Sequence, residues 1–188
     1  MKKSFLLSLT LLSLAACKKE ANISLKITPT ATTAVVSTKP DTIPDKAEFK
    51  LKLGKDSTNT DETAIVFDHR SSVNYSGNED APYFTGFGQV SLASISADNR
   101  DLAINTLPYT PGMSIRLDIH TKTDGVYFLK MSYENGIPAN IQVWLKDNYL
   151  KDSVNARTDN YIFNVSKADT NSFGSKRFKL ILKDSSTQ

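Results

Sequence analysis

The chain has 188 residues, with 23 Lys and Arg against 20 Asp and Glu, a formal charge of +3 and a single cysteine. That length allows one domain with a substantial core and some chain to spare. Lys and Arg are interspersed with acids along the whole sequence, so composition does not recommend nucleic acid as a partner. One cysteine excludes an internal disulfide framework.

The first segment has the three parts of an export signal. Lys2 and Lys3 give a basic start, Phe5 to Ala16 is uncharged and mostly apolar, and the small residues Ala15 and Ala16 precede Cys17. As a helix that run would rise only about 18 Å, well short of a hydrocarbon core of roughly 30 Å. It is expected to be removed rather than to span. Leu14-Ala15-Ala16-Cys17 resembles the bacterial lipobox, whose cysteine is joined to diacylglycerol before cleavage just ahead of it. The resemblance explains a solitary cysteine in an exported chain and makes Cys17 the lipidated N-terminus. No Asp follows Cys17, so an outer-membrane anchor is expected, its face left open between periplasm and cell surface.

Residues 17–45 read as a tether. They are poor in large apolar residues, rich in Thr, Ala, Ser and Lys, and punctuated by Pro29, Pro40 and Pro44. About 28 residues of flexible coil span roughly 30 Å on average. Within it Ile23, Leu25 and Ile27 alternate and could add one edge strand.

From residue 46 to 188 the pattern changes to period two. Phe49, Leu51 and Leu53 alternate with lysines, and Ile115, Leu117 and Ile119 with Arg116, Asp118 and His120. Tyr127, Leu129, Met131 and Tyr133 are expected on one face, and so are Ile141, Val143 and Leu145. Tyr161, Phe163 and Val165 follow, then Phe178, Leu180 and Leu182, with further strands at residues 63–67, 90–95 and 102–104. Alternation of this kind marks half-buried antiparallel strands. Pro111-Gly112, Asp124-Gly125, Asn135-Gly136 and Gly174 separate them, and Asp124-Gly125 predicts a hairpin. The expected fold is all-β, an antiparallel β-sandwich of about nine strands.

Several blocks between about Asp61 and Leu182 carry a resemblance. They are Gly77 to Ala81, Leu102 to Pro108, Val143 to Asn148, Tyr161 to Phe163 and Arg177 to Leu180. In this order they resemble a β-sandwich module of large surface and secreted proteins of Bacteroidota, often placed ahead of a secretion sorting domain. The resemblance implies location and fold and supplies no catalytic residues. Two departures are a single module and the absence of a sorting domain, so the lipid anchor is expected to replace that route.

Candidate chemistry is sparse. Asp118 and His120 share a strand face and could touch, and a hydrolase would need a nucleophile such as Ser114 with an oxyanion hole that no motif provides. His69 and His120 lack zinc-ligand spacing. Asn78-Glu79-Asp80 and Asp98-Asn99-Arg100-Asp101 are oxygen-rich loops of the kind that can bind calcium, although turns favour the same residues. No enzyme, metal or cofactor is therefore expected. The binding candidates lie in the long connection between Val66 and Val90: Tyr75, Glu79, Asp80, Tyr83, Phe84 and Phe87. Trp144, out of phase with its buried neighbours, is a further aromatic to weigh. The expectation is a tethered, non-catalytic surface lipoprotein for binding, adhesion or display. A glycan-binding lipoprotein is the alternative, and a small hydrolase using Asp118 and His120 the more distant one.

Overall fold

Alternating apolar residues become strands because each strand must bury one face and can pair its backbone only with neighbours. The computed structural model describes residues 42–86 and 88–185. The export signal, Cys17, the segment 23–27 and Phe87 lie outside the described residues.

Eleven strands form: β1 (Glu48–Gly54), β2 (Thr60–Phe67), β3 (Ala81–Pro82), β4 (Val90–Ile95), β5 (Asp101–Leu107), β6 (Ser114–Thr121), β7 (Gly125–Asn135), β8 (Ile141–Asp147), β9 (Asp152–Asn155), β10 (Tyr161–Val165) and β11 (Phe178–Asp184). One 3-10 turn, η1 (Thr170–Ser172), sits between β10 and β11. The pairing runs β10-β7-β1-β2-β5-β4-β6-β11-β8-β9, with β3 attached to β5. The fold is thus an all-β sandwich. Its first half is β10-β7-β1-β2 and its second is β4-β6-β11-β8-β9, with β5 between them.

All nine stretches read as strands from the sequence are strands, and two are additions: β3, too short to alternate, and β9, short and mostly polar. Pairing is antiparallel except where β2 runs parallel to β5, from Ala64 opposite Ile104 to Phe67 opposite Leu107. At that junction the hydroxyl of Thr63 donates to the Leu102 carbonyl at 3.1 Å and lies 3.2 Å from the Ser94 hydroxyl, so its buried polar atom is satisfied.

Phe49, Leu51, Leu53, Ile65, Tyr127, Leu129, Tyr161 and Phe163 from the first half face Leu92, Ile115, Leu117, Ile119, Val143, Leu145, Phe178 and Leu180 from the second. Each large side chain buried this way contributes roughly 1.5–3 kcal/mol. Ile43, assigned by composition to the tether, is also buried in this core.

Two local expectations change. β6 and β7 do not pair with each other: β6 pairs with β4 and β11, β7 with β1 and β10. The Asp124-Gly125 turn therefore crosses from one half to the other. Gly125 still needs to be glycine, at φ +142°, and Asp124 Oδ1 accepts from the Lys167 amide at 2.6 Å. Turn chemistry reverses the chain without choosing its partner. Tyr133 also leaves the inward face. The register slips between Lys50, opposite Tyr133, and Leu51, opposite Met131, so a bulge turns the Tyr133 ring outward beneath the Lys50 amino group.

The two halves are fastened by one buried cation. Arg177 Nε and Nη2 donate to Asp147 Oδ2 at 3.1 and 2.9 Å, with both side chains 0% exposed. Nη1 donates to the carbonyls of Asn164, at 2.8 Å, and Ser172. Tyr161 Oη donates to the same Asp147 oxygen at 3.2 Å, and Oδ1 accepts from the amides of Tyr149 and Leu150. The guanidinium also lies over the rings of Phe163 and Phe178, at 4.6 and 4.8 Å from their centroids.

Two measurements check this account by chemical denaturation. Arg177→Met should cost about 3–5 kcal/mol, because it leaves the Asp147 carboxylate buried without its cation. Leu117→Ala should cost about 2–5 kcal/mol by opening a cavity, against a much smaller loss for Arg116→Ala on the outer face. A larger loss at Arg116 would place the strand phase one residue out.

Candidate functional site

The long connection between β2 and β4 is held down by the residues that made it a binding candidate. Asp80 accepts the amide of Ser76 on Oδ2 and that of Thr106 in β5 on Oδ1, both at 2.7 Å. The Thr106 hydroxyl donates to the Glu79 carbonyl at 2.8 Å, while the Glu79 side chain faces solvent. Tyr83 Oη donates to Asp61 Oδ2 at 2.7 Å, an oxygen that also accepts the Leu92 amide. Burial, reinforced by Asp61, pushes the Tyr83 phenol up to about 12. The Tyr75 ring is covered by the Arg100 guanidinium at 4.8 Å, and its amide donates to Asp98. Phe84 alone among the described candidates is a largely free aromatic, 83% exposed. Asp80, the Glu79 carbonyl, Tyr83 and Tyr75 tie the loop down, each through its own partner.

In the second oxygen-rich loop Asp98 is spent in the same way as Asp80. Asp98 Oδ1 accepts from the Ser96 hydroxyl at 2.6 Å as well as from Tyr75. Elsewhere Asp45, Asp68 and His69 each offer a ligand atom within 4.8 Å of the others. Those atoms already have partners: His69 Nδ1 lies 2.6 Å from Asp45 Oδ2, and Arg70 grips Asp68 with Nε and Nη2.

Asp118 and His120 do meet on the outer face of β6, with Nε2 3.0 Å from Oδ2. Ser114 lies on the same face but six residues away, about 20 Å along an extended strand, and cannot reach His120. The residue opposite His120 is Ser91 of β4. The hydrogen bond that His120 donates to Asp118 holds the imidazole above the usual histidine value, against burial and the positive charge of Lys167, with a smaller upward push from Asp101. Asp118 Oδ1 is buried with no hydrogen-bond partner among the described residues.

A roomy concavity lies close to this pair, the Phe173 ring on its lining being 6.1 Å from the His120 ring. A cleft of about 540 Å³ is lined by Asn148, Tyr149 and Lys151 of the β8–β9 turn and by Asn171, Phe173 and Lys176 around η1. Its floor is Arg177, and the Tyr149 ring lies 5.1 Å from that guanidinium. Tyr149 Oη donates to Asp169 Oδ2 at 2.8 Å, joining the two walls. Aromatic surface, amides and ammonium groups on a rigid floor suit a polar ligand. Sequence reading missed this cleft because its walls are some twenty residues apart. One signal was legible: Asp147 falls in phase with the buried Ile141, Val143 and Leu145, and an inward charge requires a partner.

Trp144 lies half-buried on the outer face of β8, where Nε1 donates to Gln142 at 2.9 Å.

A raised His120 pKa means that protonation favours the folded state. Its contribution is complete below about pH 6.5, the unfolded value, and is lost as pH rises through the higher folded value. Histidine NMR titration should place His120 above 6.5 and bring it down in Asp118→Asn; an unshifted His120 in the native protein would refute the pairing. No protein-family model, curated protein or solved structure matches the chain.

Proposed function

We propose that this chain is a membrane-tethered, non-catalytic binding module, held by lipid on Cys17 and displayed at the outer membrane of a bacterium. The single observation that carries the binding reading is the open cleft over Arg177. Its floor is pinned by the buried ion pair with Asp147, so the walls are presented without a folding cost on binding. Tyr149 offers a ring face and Asn148 and Asn171 offer amides, the combination that recognises a sugar by stacking and hydrogen bonding. A glycan is the ligand class this lining favours.

The leader carries the anchoring half of the proposal: a short apolar run, small residues and then a solitary cysteine. Several acyl chains, at about 0.8 kcal/mol for each buried methylene, would hold the protein far more firmly than one.

Two experiments test the halves separately. Intact-mass spectrometry of membrane-extracted protein should find Cys17 as the acylated first residue, and Cys17→Ser should block processing; another N-terminus or no acyl mass refutes the anchor. Retention of the full-length protein on a panel of immobilised neutral polysaccharides should be lost when Tyr149 and Asn171 are both changed to Ala, with the thermal midpoint followed in parallel. Retention that survives this double substitution would exclude the cleft.

A further inference from the structure

The outer face of the second half-sheet carries a row of like charges that the sequence does not display. Lys146 in β8 lies opposite Lys179 in β11, and Lys179 lies opposite Arg116 in β6. The row is flanked by Ser153 in β9 and Ile95 in β4. Neighbouring strands are about 4.8 Å apart, so three cations stand side by side within two strand spacings. The next row holds Asn155, Trp144, Ile181 and Ser114, and beyond it Gln142 lies opposite Lys183, whose amino group is 6.0 Å from the Trp144 ring centroid.

Like charges directly opposite on adjacent strands destabilise a sheet. On the first half the lysines are relieved: Lys52 pairs with Glu62 at 2.8 Å, and Lys50 and Lys130 lie over the rings of Tyr133 and Phe128. Among the described residues no acid forms an ion pair with Lys146, Lys179 or Lys183. Arg116 Nη2 donates to Asn99 Oδ1 at 2.7 Å and to the Ser96 carbonyl at 3.3 Å, with Asp118 on its own strand face and Asp101 across Ile95, so Lys146 and Lys179 are the uncompensated pair of the row.

We propose that this face docks an acidic polysaccharide, its carboxylates or sulfates set against the row Lys146, Lys179 and Arg116 while a sugar ring packs on Trp144. Charge complementarity calls for a polyanion. The neighbours of the row select its class. Gln142, Asn155, Ser114 and Ser153 offer amides and hydroxyls to the many hydroxyls of a carbohydrate. An anionic membrane would instead be met by exposed large apolar side chains. Of those described, Val73, Phe84, Val126 and Ile162 lie elsewhere, and Tyr149 and Leu150 border the face in the β8–β9 turn and do not lie on it. A single aromatic on the face also falls short of the successive stacking platforms that hold single-stranded nucleic acid. The inference rests on the reading of the chain as a binding protein, but it uses none of the residues that line the cleft.

The test is binding of the full-length lipoprotein, in non-ionic detergent, to immobilised polygalacturonate at low salt, with dextran, phosphatidylglycerol vesicles and a single-stranded DNA oligonucleotide as comparisons. Polygalacturonate should bind best, and its affinity should fall steeply as salt rises. Lys146→Ser with Lys179→Ser should weaken that binding at least tenfold while the thermal midpoint stays equal or rises, because the substitution relieves repulsion within the row. A merely structural pair of lysines would show the reverse. Tyr149→Ala with Asn171→Ala should leave polygalacturonate binding intact. Should the cleft pair abolish it and the lysine pair not, the cleft stands and the basic face falls. Should the lysine pair abolish it while no neutral polysaccharide is retained, the face stands and the cleft falls. Absence of polygalacturonate binding, or stronger binding to vesicles or DNA, overturns the proposal.

Discussion

A guanidinium with no access to water is costly unless its donors are met, and Arg177 makes four hydrogen bonds by drawing on both halves of the sandwich. Asp147 at the end of β8 supplies the counter-charge, and the Asn164 carbonyl of β10 and the Ser172 carbonyl of η1 take the two Nη1 donors. The same contacts close the side of the sandwich where β9 and β10 would otherwise end as separate edges. They also fix the β8–β9 turn, since Asp147 Oδ1 accepts the amides of Tyr149 and Leu150. The cleft above Arg177 therefore owes its shape to a buried electrostatic contact. Apolar packing alone would tolerate sliding of the halves; a buried, hydrogen-bonded ion pair tolerates one arrangement.

Charge is used in two ways on this molecule, and burial decides which. Inside, Arg177 and Asp147 are matched and hydrogen-bonded on every nitrogen and oxygen. At the surface, Asp61, Asp80 and Asp98 fold loops onto strands by accepting backbone amides and hydroxyls. In the outer row Arg116 holds the Ser96–Asn99 turn, and Lys146 and Lys179 do neither. Both the cleft and this row lie at β8 and β11, the strands that Arg177 and Asp147 terminate. The two proposed recognition surfaces thus sit beside the buried ion pair, whose bonds hold these strand ends in place.

The aromatic loop illustrates how sequence proximity misleads. Tyr75, Tyr83 and Phe84 are neighbours along the chain, yet Tyr83 turns inward to Asp61, Tyr75 is covered by Arg100, and Phe84 points into solvent. A strand hides its next residue on the opposite face, and a loop fastened by Asp80 sends each ring in its own direction. The same limit applies to Asp124-Gly125. Its conformational demand was readable and is met at φ +142°. Which strands it joins depended on β10 and β11, far along the chain, because both compete for the edges that β6 and β7 offer.

Period-two alternation by itself determined the fold class, the nine main strands and the inward phase of Leu117 and its equivalents, because burying one face of a strand is a local requirement. The pairing of Asp118 with His120 was equally local, two residues apart on one face. Everything that depends on which strands lie side by side was left to the tertiary structure: the parallel pairing of β2 with β5, the bulge that turns Tyr133 outward, the partner of Asp147 and the cleft above it. The clearest case is charge. Read along the chain, Arg116, Lys146 and Lys179 are thirty or more residues apart and each has acids nearby in sequence. Antiparallel register sets all three in one row, with Asp147 turned inward and Asp118 and Asp101 only at the Arg116 end, so the basic surface exists only once the sheet has formed.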